Sequence, residues 1–191
     1  MADVNVLVAI DAESFISTFG LSSANGYSAT NPVRLDKSDS NHDPDKYIRM
    51  IVSEATHGIT NEGTAELGFT AYTEDHILWR ERSLSMDSDY AVLFYKFQPG
   101  GGDEVLDLPV RASRSVIEEP LPEKGPISDK WQPADWVKDL TDFYWTADAS
   151  TPGNGSYTWW CSVYKRSAGI DPIGFFTWDP YIEVLEGPRP R

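Results

Sequence analysis

Apolar residues occur along this chain in many short runs, separated by clusters of Gly, Pro, Asn and Asp. Residues 4–10 form an apolar run on both alternating faces, which is typical of an inner strand covered from both sides. The strongest strand pattern lies at residues 90–97, and further patterns occur at 66–72 and 142–146. Period-two alternation with few helical stretches predicts a β-rich chain.

The segment expected to organise the core is residues 174–184, in which two apolar runs meet at the Asp179-Pro180 step. Because proline fixes φ and lacks an N–H group, this step predicts a turn or kink between two strands. The large aromatic side chains on the segment predict that it lies against most of the core.

Turn residues and prolines predict where the strands are interrupted. Residues 20–46, rich in Ser, Asn, Asp and Gly, predict a long loop. The glycine-rich residues 98–103 predict the loop of a hairpin whose second strand is 104–108. Four prolines within residues 115–133 predict an irregular surface segment.

Two stretches have a helical pattern. Residues 12–19 could form one or two helical turns. Residues 133–140 predict a short helix, because Pro133 occupies a plausible first helical position and Asp135 places a negative charge in the first turn.

Together these elements predict the fold class. Short strands with turns between them, without a repeat or regular strand-helix alternation, favour an all-β fold. We expect an antiparallel two-sheet β-sandwich, Ig-like or jelly roll, with one short helix. A chain of 191 residues suits a single domain, predicted to span residues 1–186. Residues 187–191 lack apolar anchors and predict a frayed tail.

The charge balance excludes several partners. Asp and Glu number 30 against 16 Lys and Arg, which gives a formal net charge of −14. The resulting field repels phosphate and anionic lipid headgroups, so we expect no nucleic-acid or membrane partner. Asp3 lies where a signal peptide carries basic residues, and no apolar run approaches the roughly 20 residues of a membrane span. A single cysteine cannot form an internal disulfide, and a cytoplasmic protein is expected.

Motifs for catalysis and metal binding are few. Four Asp or Asn residues alternate within 39–45 as in a calcium loop, but Pro44 replaces the required glycine and Met50 the bidentate glutamate. The three histidines lack zinc-site spacing. Cys161 lies in a predicted core strand, which favours a packed thiol over a nucleophile. We therefore expect no catalytic residue, metal or cofactor, with a small-molecule enzyme as the weaker alternative.

Residues 157–166 are the candidate binding strand, because alternation gives them two different faces. One face is predicted to join the core: Tyr157, Trp159, Cys161 and Val163. The other face carries two rings among polar groups: Thr158, Trp160, Ser162, Tyr164 and Arg166. That pattern is typical of a sugar-stacking face or a partner interface, although rings covered by a loop give the same pattern. The predicted ligand-binding set adds nearby polar and aromatic positions: Trp145, Asp148, Asn154, Trp160 and Tyr164.

An ordered series of segments also carries a family resemblance. The segments are residues 5–11, Asn31-Pro32, 47–51, 79–85 and 174–182. In these the chain resembles the bacterial AidA/PixA family of inclusion body proteins. The resemblance implies quorum- or growth-phase-dependent production and, for some members, cytoplasmic crystalline inclusions, and it supplies no catalytic residues. The chain departs from the methionine-rich composition of PixA-type members, since it has only 3 methionines.

Two functions from different classes follow as hypotheses. The first is a non-enzymatic, lectin-like binding or accumulation protein, because aromatic faces stack on sugars and a neutral sugar is not repelled by an acidic protein. The alternative is self-assembly, in which exposed faces form homo-oligomers and packed inclusions.

Overall fold

A computed structural model describes residues 2–53, 56–85, 89–122 and 133–187. Within these ranges, residues 111, 113–122 and 133–142 are described by their backbone alone. Most of the described residues form strands of two sheets, which confirms the β-rich prediction. The elements in chain order are β1 (Asp3–Ile10), α1 (Ala12–Phe19), α2 (Ser22–Asn25), β2 (Val33–Arg34), β3 (Ile48–Val52), β4 (His57–Thr60), β5 (Gly68–Tyr72), β6 (His76–Ser83), β7 (Tyr90–Gly102), β8 (Val110–Pro122), β9 (Pro133–Asp148), β10 (Gly153–Lys165), β11 (Pro172–Trp178) and β12 (Tyr181–Leu185).

Both sheets are mixed. The first has the order β3-β1-β6-β9-β8, and its β1–β6 pair is parallel. In the second sheet β10 pairs with β7, β11 and β12, while β2 joins β11 and β5 joins β12 in parallel. The expectation of antiparallel sheets of Ig-like or jelly-roll type therefore needs correction. Alternation specifies which face of a strand is buried, but it does not specify the neighbouring strand.

A core of packed rings joins the two sheets. The ring centroid of Trp79 on β6 lies 5.5 Å from that of Trp159 and 5.6 Å from that of Tyr157, both on β10. The Trp79 indole N–H donates to the Tyr157 hydroxyl at 3.2 Å, so this buried polar pair is satisfied. Phe94 on β7 stacks on Trp159 with centroids 4.6 Å apart. The aromatic residues thus fill the space between the sheets.

The predicted carboxy-terminal pair of strands is confirmed. β11 and β12 lie end to end along one edge of β10 in a single register, since Trp159 pairs with Trp178 and Ser156 with Tyr181. The Asp179-Pro180 step interrupts the strand without reversing its direction. Phe176 and Trp178 are fully buried, as expected for the segment that organises the core.

The longer of the two α-helices in the described chain, α1, lies near the amino terminus. Asp11 caps α1, because its carboxylate accepts hydrogen bonds from the Ser14 backbone N–H at 3.0 Å and the Ser14 hydroxyl at 2.7 Å. Phe15 on its buried face packs 4.7 Å from Phe176 between ring centroids. The helix predicted at residues 133–140 is wrong, because this stretch forms the first half of β9. Its ladder with β8 overrides a local pattern that favours helix.

Three further expectations are corrected. β7 continues through the glycine-rich residues and pairs with β10, so the predicted hairpin with residues 104–108 does not form. Residues 115–122 belong to β8 and are not irregular, while residues 123–132 lie outside the described part of the chain. β1 buries only one face, since its other face includes Leu7 at 39% exposure. Residues 188–191 of the predicted tail also lie outside the described residues.

Candidate functional site

The two faces of β10 are as predicted. Its inner face is buried at Tyr157, Trp159, Cys161 and Val163. On its outer face Trp160 and Tyr164 are half-buried, whereas Ser162 is buried. Ser162 donates a hydrogen bond from its hydroxyl to the Tyr164 hydroxyl at 3.2 Å. The predicted outer ring pair therefore exists on one face of one strand.

A groove of about 350 Å³ lies on this outer face beside Trp160. β7, β10 and β11 form its base, and β2 contributes Arg34. Its polar lining is Arg34, Gln98, Ser156, Thr158, Thr177 and Asp179. The Lys96 ammonium lies 3.8 Å from the Trp160 ring centroid, so a cation–π contact holds the ring in place. A rigid ring among hydroxyl, amide and charged groups is suited to a small polar ligand.

The segment of residues 20–46, predicted as a long loop, contains α2 and β2 and flanks this groove. The Tyr95 hydroxyl donates to the backbone carbonyl of Ala29 at 3.0 Å, and Tyr95 packs edge-on against Trp160 with centroids 6.2 Å apart. Burial raises the pKa of Tyr95 to about 12, so its hydroxyl stays protonated at neutral pH. The loop therefore covers Tyr95 and supplies Arg34 while the groove beside Trp160 stays accessible.

The acidic rim of the groove is partly desolvated. Although Asp179 as a residue is exposed, partial burial of its carboxyl group raises its pKa, and the positive charge of Arg34 opposes that effect. Asp36 acts in the same direction as burial. Arg34 and Asp179 thus present opposite charges at the same groove, which suits a ligand with both donors and acceptors.

The other predicted ligand residues lie elsewhere. Trp145 on β9 packs against the core ring of Trp159 at 5.5 Å between centroids. Asp148 lies 2.5 Å from the Nδ1 atom of His76, at a cleft of about 490 Å³ on the first sheet. Asn154, at the start of β10, accepts a hydrogen bond from the Tyr181 hydroxyl at 2.6 Å.

The predicted residues therefore do not form one site. Trp160 lines the groove and Tyr164 shares its face, whereas Trp145, Asp148 and Asn154 lie in three other environments. The sequence analysis missed Arg34, Gln98 and Asp179. Their convergence depends on strand neighbours that alternation does not specify, although the Asp179-Pro180 step could have marked one of them.

The carboxylates of residues 39–45 form hydrogen bonds and an ion pair within the protein. Asp39 accepts from the Asn41 backbone N–H at 2.9 Å and Asp43 from that of Asp45 at 3.0 Å. Asp45 accepts from the Ala65 backbone N–H at 2.8 Å and pairs with Lys37 at 3.0 Å. No group of three or more potential metal ligands occurs among the residues that the structure describes. The alternating acids thus cap turns and tie the loop to the body.

Cys161 is a packed thiol in this structure. Its side chain is fully buried, and burial raises its pKa, so the thiol is protonated at neutral pH. A protonated and inaccessible sulfur is a poor nucleophile.

A second candidate surface is the ribbon formed by β8 and β9. Their pairing extends from Val110–Thr146 to Pro122–Pro133, whereas β6 pairs only with β9 residues 145–148. Among the described strands, residues 133–144 of β9 therefore pair with β8 alone. The ribbon therefore extends beyond the part of β9 that pairs with β6.

Exposed apolar side chains surround the base of this ribbon. Leu108 is 71% exposed, Val110 61% and Phe143 48%. Val110 also lines the cleft beside Asp148, as does Leu108. Clustered apolar exposure is typical of a protein–protein contact surface.

The described structure defines a mostly β protein with two mixed sheets, a small polar groove and a two-stranded ribbon of β8 and β9. The family model of PixA, inclusion body protein, matches residues 2–184, and the chain belongs to this family. The resemblance stated from the sequence is thereby confirmed. No helix within the described ranges is long and apolar enough to cross a bilayer.

A solved structure supports the fold assignment. The crystal structure of the inclusion body protein PixA from Burkholderia cenocepacia J2315 is similar to this chain, with a TM-score of 0.67 and 18% identity. The similarity covers 96% of each chain. At this identity the comparison shows a common fold alone. No curated protein matches this chain.

Proposed function

We propose that this chain is a non-enzymatic accumulation protein that associates with copies of itself. The β8–β9 ribbon supports this proposal, because residues 133–144 of β9 pair with β8 alone among the described strands and the ribbon extends beyond the rest of the sheet. Leu108 and Val110 add exposed apolar surface at its base. The family description as an inclusion body protein agrees with this function. The proposal assigns no reaction to the chain.

Self-association is tested with the purified full chain in a dilution series. We expect the mean mass from multi-angle light scattering to rise with protein concentration, because mass action favours the associated form. Overproduction in bacterial cells should also yield dense cytoplasmic inclusions visible by electron microscopy. A monomeric mass at every concentration, together with an evenly distributed protein in cells, would overturn the proposal.

Production in the cytoplasm that depends on growth phase or quorum belongs to the same proposal, on the basis of the family resemblance. Immunoblots of cell fractions through a growth curve are expected to show the protein rising in dense cultures. Constant abundance at all densities would reject this part.

Carbohydrate binding is a second candidate function, which we propose for the groove beside Trp160. The supporting observation is that the half-buried Trp160 indole ring and six polar or charged side chains line this groove. Indole rings stack on sugar faces, and the polar groups can pair with hydroxyls. Lys96 already contacts the Trp160 ring, so a sugar would have to use the remaining ring surface.

Calorimetric titration with neutral monosaccharides and oligosaccharides tests this candidate. We expect Trp160→Ala to abolish any binding heat. Tyr164→Ala is the matched control, because it removes a ring from the same strand face without altering the groove lining. Absence of binding to the wild-type chain, or equal loss in both variants, would reject the groove as a sugar site.

A further inference from the structure

We propose that the groove beside Trp160 binds a small zwitterion of the α-amino acid class, with its carboxylate on Arg34 and its ammonium group on Asp179. This inference goes beyond the self-association proposed above. It gives the groove a ligand that matches both of its charges, and its predictions differ from those of the neutral-sugar candidate for the same groove.

Arg34 and Asp179 line one groove but do not pair with each other. Neither side chain forms an ion pair or a hydrogen bond with any other residue in the described part of the chain. Burial raises the pKa of Asp179 and the positive charge of Arg34 opposes that rise, so the two charges are near one another. Opposite charges that face a common groove without pairing leave room for a ligand that carries the complementary pair of charges.

Strand pairing sets the spacing of the groups around Thr177. Thr177 on β11 pairs with Arg34 of β2 on one side and with Trp160 of β10 on the other. Asp179 follows two positions later, so alternation places it on the same face. Neighbouring strands lie about 5 Å apart, and same-face positions along a strand lie about 7 Å apart. A molecule whose two charged groups flank a single carbon atom can therefore reach both Arg34 and Asp179.

Thr177 supplies an independent observation that points to a ligand. The residue is only 6% exposed, yet its hydroxyl forms no hydrogen bond with the residues that the structure describes. Thr177 also lines the groove. Because buried hydroxyl groups are normally hydrogen-bonded, this one is available to a ligand in the groove. A carboxylate bound by Arg34 would lie beside Thr177 and could accept hydrogen bonds from both side chains.

The two charges favour a zwitterion over other small ligands. A neutral sugar would remove water from Arg34 and Asp179 without supplying an opposite charge to either, and desolvation of an unpaired charge is costly. An ion of either sign would satisfy one of the two side chains and be repelled by the other. A zwitterion supplies both opposite charges, and the protein's net charge of −14 does not repel it because its own net charge is zero.

Calorimetric titration of the full chain with the common L-amino acids tests the ligand class. We expect at least one to bind, and its N-acetyl and amide derivatives, each of which lacks one charge, to bind roughly tenfold more weakly. Glucose and galactose are titrated in parallel as uncharged ligands. Sugar binding without amino acid binding would overturn this inference and leave the carbohydrate candidate in place. Absence of all binding would overturn both, and self-association would stand.

Two variants assign each charge of the ligand to its partner. Arg34→Gln should remove the preference for the amino acid over its amide, because the ligand carboxylate no longer meets a guanidinium group. Asp179→Asn should remove the preference over the N-acetyl derivative, because the ligand ammonium group no longer meets a carboxylate. Each variant should retain the other preference. Loss of both preferences in either variant, or of neither, would reject the assigned contacts.

Arg166→Gln and Asp171→Asn are the matched controls, since they remove the same charges from exposed residues outside the groove. Both should keep the wild-type affinity and both preferences. A control that loses a preference would show that the effect is not specific to the groove and would reject the site.

Thr177→Val tests the hydroxyl separately, because valine keeps the branched shape of threonine and removes its donor. We expect this variant to weaken binding of the amino acid several-fold. An unchanged affinity would contradict the contact between Thr177 and the ligand carboxylate.

Discussion

At the residue scale, different environments shift the pKa values of acidic side chains in opposite directions. Asp36 accepts hydrogen bonds from the backbone N–H and the hydroxyl of Ser38, which lower the pKa of its carboxyl group. Glu66 has the opposite environment, because burial and the negative charge of Asp179 raise its pKa, while Lys37 only partly compensates. A single glutamate near the groove rim therefore couples folding to pH.

The sign of this coupling follows from the raised pKa of Glu66. Protonation favours the folded chain, so its stabilising effect is complete below the unfolded pKa and is lost as the pH rises through the higher folded value. Glu66→Gln, which cannot ionise, should raise the free energy of unfolding at neutral pH by less than about 1 kcal/mol, since the side chain is half-exposed.

Chemical denaturation of Glu66→Gln at neutral pH and well below the ordinary glutamate pKa measures this effect. The gain should disappear at the acidic pH, where the wild-type carboxyl is also neutral. Glu104→Gln is the control, because Glu104 is exposed. A destabilised Glu66→Gln variant at neutral pH would contradict the assigned environment.

Residue patterns predicted the faces of β10 correctly, because burial alternates with the strand period at Tyr157, Trp159 and Cys161. They did not predict the groove. Arg34 and Asp179 are 145 positions apart in the chain, and their proximity depends on the parallel pairing of β2 with β11. Sequence alternation carries no information on that pairing.

At the element scale, the β7–β10 pair depends on close backbone approach. A Cβ atom added to Gly100 would lie 2.7 Å from the Ser156 carbonyl oxygen. This requirement explains why the glycine-rich stretch was mistaken for a hairpin loop. Glycine permits both a turn and a close approach between strands, and the sequence alone does not distinguish the two.

Gly100→Ala should therefore lower the free energy of unfolding by about 1–3 kcal/mol, since the added methyl group forces the two strands apart. Gly101→Ala is the matched control, because a Cβ atom there meets no atom within 4 Å. Urea denaturation monitored by tryptophan fluorescence compares the two variants. Equal stability of both variants would contradict the proposed role of Gly100.

The misassigned helix at residues 133–140 has a different cause. Pro133 and Asp135 match the start of a helix, and proline is equally tolerated at the first residue of a strand. In the structure this stretch pairs residue by residue with β8. Long-range pairing with β8 thus favours strand over helix, although both conformations are acceptable to the local sequence.

At the scale of the whole molecule, the net charge of −14 opposes association between copies. For copies to associate, the free energy gained from strand pairing and apolar contact at the ribbon must exceed the free energy of that repulsion. The same charge keeps separate copies in solution, so association depends on the ionic conditions. Self-association consequently depends on the balance between attractive contacts at the ribbon and charge repulsion between whole copies.

Raising the ionic strength from low to physiological should strengthen self-association several-fold, because salt screens charge repulsion between copies beyond the Debye length. Light scattering at constant protein concentration across a sodium chloride series measures the effect. Sucrose at equal osmolality serves as the control for solute effects other than screening. A mean mass that falls as salt is added would contradict a repulsion-limited association.

Hydrogen exchange of the wild-type chain, measured by mass spectrometry at low and high protein concentration, tests the central claim most directly. We predict that backbone amides in residues 133–144 become protected as concentration rises, because the ribbon then contacts a second copy. Amides of β10, already paired on both edges, should not change. Unchanged exchange in residues 133–144 while the protein associates would contradict the account.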